Sequence, residues 1–301
     1  MKKIPVIIDC DPGVDDALAL MMAFAKKELD IKAITSVSGN VGIEYTTHNA
    51  RLVAGILGMD VPVAMGAAKP IIAPKRFADK THGSDGFGGA SSLFDENHLA
   101  PLSDKNAVEL IADVLRNSEE KVTIIAIGPL TNIAVFLMAH PELKDKIEML
   151  SIMGGSTTVG NTAPKVEFNF MVDPHAAHVV LNSGLKIVLA GLNVTLQAYV
   201  TDEDIERLDG RGTEVAKVAA KILAAYKAND PALHDPVSVL ALTNPEIMKF
   251  EDMYMNVETS GIYSSGMSFT DEREERKPPD NITVITEIDR ERFVDEMIKC
   301  F

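Results

Sequence analysis

The sequence predicts an α/β fold, a mostly parallel central sheet flanked by helices. Three observations predict it. Short β-rich runs alternate with helical patterns through nearly the whole chain. Several runs, among them "TIIAI" at 123–127 and "KIVLAGL" at 186–192, are apolar without alternation, as strands covered on both faces are. The segments between them carry helix start and stop signals.

Taken in order, Val6–Asp9 is the first strand, and Pro12-Gly13 turns the chain into a helix starting near Val14. Ile31–Val37 and Val61–Met65 follow as strands. Ser103 precedes a helical run with Ala107, Val108, Ile111 and Leu115 on one face, and Val122–Ile127 is the next strand. Between the strands Met149–Met153 and Lys186–Leu192, Asp173 is an N-cap, Pro174 the first helical position and Gly184 the stop. Thr201 and Asp204 form a capping box. Thr213 to Lys227 reads as a long helix, and Asp235-Pro236 starts another. Met253–Thr259 and Ile282–Ile288 complete the strands. The glycines of "KTHGSDGFGGASS", residues 80–92, predict a mobile surface loop, and "DEREERKPPDN" a solvated one. No repeat, low-complexity tract or linker divides the chain, so residues 1–301 read as one domain of Rossmann-like open α/β type.

Composition limits what the protein does. A hydrophobic fraction of 46% supplies a large core, while a formal charge of −15 leaves no basic footprint for nucleic acid or an anionic membrane surface. No apolar run is long enough to span a membrane, and the apolar part of "MKKIPVIID" is too short for a signal peptide. Cys10 and Cys300 lack metal-site or disulfide-framework spacing, which fits a reducing compartment. A cytoplasmic protein is expected.

The chemistry begins at the end of the first strand, where Asp9, Asp11, Asp15 and Asp16 crowd into eight positions. In an open α/β sheet, ligands bind beyond the carboxyl ends of the strands. Asp15 and Asp16 would gain about 0.3–1 kcal/mol each from the dipole of the helix they begin, too little to offset the mutual repulsion of four acids. A bound cation explains the cluster better, and all-oxygen ligation without His or Cys selects a hard ion, Mg²⁺ or Ca²⁺. The spacing is not that of an EF-hand. A second signal is "ALHDPVSVLAL", in which His234, a proton donor near neutral pH, precedes Asp235. A third is "GNTAPKVEFNFMVDP", where an extended segment would aim Glu167 and Asn169 the same way, with Asn161 nearby. Asn40 closes "AITSVSGN". Amides and carboxylates without a phosphate-binding lysine suit a polyol such as a sugar. No P-loop, G-x-S-x-G elbow, H-E-x-x-H or G-x-G-x-x-G is present.

Together these segments resemble the nucleoside hydrolase family, the inosine–uridine preferring type of ribonucleoside N-glycosidase. "DCDPGVDDALAL" is similar to its D-x-D-P-G-x-D-D-A signature, and "SVSGN", "HGSDGFGG", "GPLTNIA", "MGG", "EFNFMVDP" and "HDP" follow in the family's order, covering essentially the whole chain. The resemblance implies calcium-dependent hydrolysis of ribonucleosides to ribose and free base, as in nucleoside salvage. It implies Ca²⁺ held by Asp11, both oxygens of Asp16, the main-chain carbonyl of Ile127 and Asp235, with water and two ribose hydroxyls completing the shell. Asp11 would also be general base. Asp15, Asn40, Asn161, Glu167 and Asn169 would grip the ribose, His234 would face the departing base, and His82 would be a second contact to it. The family's members often form homodimers or homotetramers. Ile127 stands where some members have threonine, a change that a main-chain ligand tolerates. "HGSDG" lacks a Glu that several members carry, and the stretch from Tyr226 to His234 is short, so the chain departs from the pattern at the base end.

Two rivals stand beside this reading. A haloacid-dehalogenase-type phosphatase also ends its first strand in D-x-D and binds Mg²⁺, but Pro12-Gly13 and the Asp15-Asp16 pair do not fit it. A non-catalytic nucleoside- or sugar-binding protein would have lost a catalytic group, whereas Asp11 and His234 are both present.

Overall fold

The computed structural model describes residues 2–89, 91, 96–271, 273 and 278–301. Its ten strands are β1 (Ile4–Cys10), β2 (Leu29–Ser36), β3 (Val63–Met65), β4 (Val122–Ala126), β5 (Ile147–Met153), β6 (Ile187–Ala190), β7 (Met248–Met253), β8 (Met255–Val257), β9 (Ser268–Thr270) and β10 (Ile282–Ile288). Eight of them form one sheet in the order β3-β2-β1-β4-β5-β6-β10-β7. All neighbours run parallel except β7, which pairs antiparallel with β10 at the edge.

The predicted α/β class follows from how these strands are buried. In β1, Val6, Ile8 and Cys10 join the core on one face and Ile7 the core on the other, so both faces need apolar side chains. Helices α1 (Val14–Ala25), α2 (Ile43–Ile56), α10 (Glu214–Lys227), α11 (Asp235–Thr243) and α12 (Arg290–Lys299) contribute to the first core. Helices α4 (Ala107–Asn117), α5 (Thr131–Ala139) and α7 (Pro174–Leu181) contribute to the second. Helix α1 is apolar on all sides beyond its first turn because it is buried all round.

Most predicted elements are present with shifted ends. The exception is Met253–Thr259, which is two elements: β7 ends at Met253, and Met255–Val257 leaves the main sheet to pair with β9. The cause lies in Asn281, whose side chain accepts from Met255 N at 2.9 Å and donates to Met255 O at 3.0 Å, tying off the ladder there. Asn281 ends the stretch expected to be a solvated loop; residues 272 and 274–277 of that stretch lie outside the described residues. Ser103 precedes α4, but Asn106 caps it in a box with Glu109.

The segment expected to be a surface loop is partly interior. Its first residues form a single helical turn, α3 (Asp79–His82), and His82 and Phe87 are buried. His82 Nδ1 accepts from Val14 N at 3.4 Å, and Asn49 Nδ2 donates to Pro12 O and Asp85 O, so the segment is folded over the start of α1. Residues 90 and 92 of the same stretch lie outside the described residues.

Candidate active site

From β1 the chain runs outward to β2 and β3 and returns to β4 on the other side of β1, so the strand order reverses between β1 and β4. At that reversal the carboxyl ends of the strands open a crevice. Asp11 stands directly past β1, and Gly13 begins α1. Asp16 is held by backbone: its Oδ1 accepts from Asp11 N and its Oδ2 from Gly13 N, both at 3.0 Å. Asn40, after β2, donates from Nδ2 to Asp16 Oδ2 and Asp11 O at 3.1 Å, and from its main-chain nitrogen to Asp11 Oδ2 at 2.6 Å.

Asp15, Asp16 and Asp235, the last at the start of α11, each bring a carboxylate oxygen within 4.8 Å of the others. Asp11 lies against them with its carboxylate turned to Asn40. Burial, followed by their neighbours' charge, drives Asp11 and Asp235 well above the ordinary carboxylate range. Burial pushes Asp15 and Asp16 up to about 6, against the charge of His234 for Asp15 and with the charge of Asp15 for Asp16. Among the described residues no lysine or arginine lines the cavity here, and the buried Asp15 Oδ1 has no hydrogen-bond partner. An all-oxygen set with an orphaned acceptor and no lysine or arginine beside it among the described residues fits a hard divalent ion.

Asp9 takes no part in this wall. It is fully buried beneath it, accepting from Thr35 Oγ1 at 2.5 Å and Asn132 Nδ2 at 2.7 Å.

Across the crevice, the stretch predicted to be extended is helical. Glu167 caps α6 (Phe168–Val172), accepting from Asn169 N at 2.7 Å and Phe170 N at 3.1 Å, which is why the apolar alternation does not make a strand. Its Oε2 also accepts from Gly155 N at 2.8 Å. Burial raises the Glu167 pKa against these three donors. Asn169 Nδ2 donates to Ile127 O at 2.8 Å, so the carbonyl singled out as a ligand is already bridged to α6. Asn161 sits at the exposed rim.

The third wall holds both histidines. His234 Nδ1 is 2.7 Å from Thr195 Oγ1 and Nε2 is 3.1 Å from Asp230 Oδ2. Burial alone would lower its pKa; the hydrogen bond and charge of Asp230, with Asp15 and Glu167 behind, raise it above the ordinary histidine value. Burial takes His82 the other way, down to about 4, and its ring stacks on Tyr226 with centroids 5.4 Å apart. Asn229 Nδ2 donates to Thr81 O at 3.3 Å, tying the end of α10 to α3.

A cavity of about 230 Å³ lies between the walls, and every residue singled out from the sequence except Asp9 and Asp16 lines it. Asp16 lies beneath it as the backbone-held member of the acid cluster. Thr195, Tyr226 and Asp230 join the site without having been singled out. Tyr226 reads as the last core position of an amphipathic helix, and Asp230 carried one usable signal, its spacing of four residues before His234.

The family model described as inosine-uridine preferring nucleoside hydrolase matches residues 6–295. A pyrimidine-specific ribonucleoside hydrolase, RihA, from Klebsiella pneumoniae is 42% identical over 302 residues, covering 97% of this chain and 96% of its own. Among solved structures, an inosine-guanosine nucleoside hydrolase superposes with a TM-score of 0.91 at 28% identity, covering 98% of both chains. A purine-preferring ribonucleoside hydrolase from Gardnerella vaginalis gives 0.88 at 29%, covering 98% of this chain and 97% of its own.

Proposed function

The chain belongs to the inosine–uridine preferring nucleoside hydrolase family and is a ribonucleoside hydrolase, and from that premise we propose that it cleaves pyrimidine ribonucleosides in a calcium-dependent reaction. One observation supports the metal requirement: three buried carboxylates gather at a cavity that, among the described residues, no lysine or arginine lines. The pyrimidine preference is supported by the pyrimidine-specific relatives at 42% identity, against 28–29% for the inosine-guanosine and purine-preferring structures.

Asp11, Asp16, Asp235 and the carbonyl of Ile127 would hold the ion, with Asp15 beside them. Calcium bound there would supply a Lewis acid that makes a water more acidic than in bulk. Asp11 takes a proton from the attacking water, its carboxylate fixed by Asn40 N. Asp15, Asn40, Asn161, Glu167 and Asn169 orient the ribose through its hydroxyls. As the C–N bond breaks, positive charge grows on the sugar, and the ring of acids around it stabilises that charge. His234 delivers the Nε2 proton to the departing base, with His82 and Tyr226 against the base's edge. A base and an acid on opposite sides of the bond divide the work as in inverting glycosidases, each contributing about 10²–10⁴-fold.

Residues 1–301 act as one catalytic unit, in the cytoplasm and as a homodimer or homotetramer. Among the described residues no helix is long and apolar enough to cross a membrane, and both cysteines are free. The deciding experiment follows reducing-sugar release from uridine, cytidine, inosine and adenosine, after chelation and again with calcium restored. Turnover that survives chelation refutes the metal requirement, and faster release from the purines refutes the preference.

A further inference from the structure

The stretch from Ala228 to His234, just past α10, does more than connect two helices. Val200 N donates to Pro231 O and Leu233 N to Ala198 O, both at 2.9 Å, and Tyr199 bridges to Ala232. These bonds strap the stretch against the residues that follow helix α8 (Leu192–Thr195). The two side chains that meet the His234 ring, Thr195 and Asp230, therefore lie on segments held in register by backbone. Asp230 is itself fixed, with Oδ1 accepting from Ala232 N at 2.9 Å and its main-chain nitrogen donating to Tyr226 O at 3.1 Å.

We propose that Asp230 is a positioning residue for the base-side chemistry: together with Thr195 it grips the His234 imidazole by both ring nitrogens and dictates that Nε2 carries the hydrogen. The chemistry of the two partners requires this assignment. A carboxylate only accepts, so Nε2 facing Asp230 must be the N–H nitrogen. The Thr195 hydroxyl both donates and accepts, so it serves Nδ1 with or without a hydrogen there. The ring is thus held in one orientation, with an oxygen acceptor at each nitrogen, so it can carry a hydrogen on both. Asp230 lines the cavity beside His234, so the N–H it orients is presented where a departing base stands. The step starts from the imidazolium, with Nε2–H on Asp230 and Nδ1–H on Thr195 Oγ1: the proton leaves Nε2 for a ring atom of the base as the C–N bond electrons move onto the base, the ring is left neutral with its hydrogen on Nδ1, and Asp230 neither gains nor loses one.

This inference rests on the assignment of His234 to the leaving base, and the test separates the two. Values of kcat and KM are measured for uridine and for p-nitrophenyl riboside, whose leaving group needs no protonation, in wild type, H234A, D230A, D230N and the D230A/H234A double variant. D230A is expected to lower kcat for uridine by about 10–100-fold, part of the 10²–10⁴ that positioned acid catalysis supplies. KM changes by less than about threefold, and the uridine to p-nitrophenyl riboside kcat ratio falls in the same sense as in H234A. The double variant is no slower than H234A alone, because residues that act as a unit are non-additive. D230N, whose amide oxygen still accepts from Nε2, falls between wild type and D230A and carries the test should D230A fail to fold. If H234A discriminates between the substrates while D230A slows both alike, or if the two losses multiply, Asp230 is not a positioning residue. If H234A itself slows both substrates equally, the acid role of His234 falls and this inference with it.

Discussion

The Asp11 carboxylate sits in a slot that only glycine leaves open, and Gly39→Ala tests what that slot does. A Cβ on Gly39 would lie 2.1 Å from Asp11 Oδ2 and 2.8 Å from the Pro129 ring, and one on Gly128 would lie 2.6 Å from Asp11 Oδ1. Non-bonded carbon and oxygen stand at least about 3 Å apart, so the alanine must drive the carboxylate back by about 1 Å. Retreat breaks the 2.6 Å bond from Asn40 N, and Pro129 blocks the opposite adjustment. A displacement of about 1 Å at a reacting group costs roughly 10²-fold, or about 3 kcal/mol of transition-state stabilisation. Overpacking also destabilises the fold by about 1–3 kcal/mol, which a large α/β core survives.

The assay is kcat/KM for uridine at saturating calcium, with calcium affinity measured by calorimetry and folding by circular dichroism. Gly42→Ala is the control: its Cβ meets nothing closer than Glu44 Oε2 at 3.6 Å, and the backbone there, at φ −63°, suits any residue. The expected pattern is a loss of about 10²-fold for Gly39→Ala with Gly42→Ala near wild type. A folded Gly39→Ala enzyme within roughly threefold of wild type would show that the position of Asp11 does not control the rate.

Saturation with calcium at about 1,000 times its dissociation constant should stabilise the chelated protein by about 4 kcal/mol, seen as a rise in melting temperature of several degrees; an unchanged melting temperature removes the ion from the acid cluster. Asn40→Ala deletes the donor to Asp16 Oδ2 and Asp11 O and should weaken calcium binding about 10–100-fold, read by calorimetry, with wild-type affinity as the refuting result. Asp9 has its pKa pushed from 3.8 to about 7 by burial, against hydrogen bonds from Thr35 and Asn132. A folded value above the unfolded one means the stability it contributes in acid is lost as pH rises between those limits, by up to about 1.4 kcal/mol per pH unit. Asp9→Asn should therefore flatten the decline in unfolding free energy from pH 5 to 7 in chelator, and equal slopes in urea titrations would refute it.

The sheet was legible because β1, β4 and β6 are apolar on both faces, and only buried parallel strands read that way. Strand β7, "MKFEDM", was not, since an edge strand with exposed Lys249, Glu251 and Asp252 lacks that signal. The segment around Glu167 misled for a different reason. Alternating Phe168, Asn169 and Phe170 have the period of a strand, but the Glu167 side chain captures two amides and starts a helical turn, a local contest that periodicity does not register. The acid cluster was legible because excess like charge at a strand end has few explanations. The histidine wall was legible only through His234 and His82. Tyr226 is indistinguishable from core, Thr195 touches the site only through His234, and His82 lies in a glycine-rich stretch whose composition suggested surface although the ring is buried.

That asymmetry has a physical origin that bears on how the enzyme works. The acids are ordered by main-chain donors: Asp16 by the amides of Asp11 and Gly13, Asp11 by that of Asn40, Glu167 by those of Gly155, Asn169 and Phe170. Such an arrangement is fixed by local turns that short motifs encode, so it can be read from the chain and is organised before any ligand arrives. It also leaves the carboxylates without a lysine or arginine on the cavity wall among the described residues, and burial with their mutual charge raises their pKa values. The base side is ordered instead by side chains from segments far apart in sequence: His82 on Tyr226, Asn229 on Thr81, His234 between Thr195 and Asp230. A change in the length of the stretch from Ala228 to His234 would move Asp230 and His234 while leaving Asp11, Asp15 and Asp16 on their own turn. On the proposed assignment the sugar chemistry is therefore tied to the sheet, and the base contacts to one connection strapped to the residues after α8.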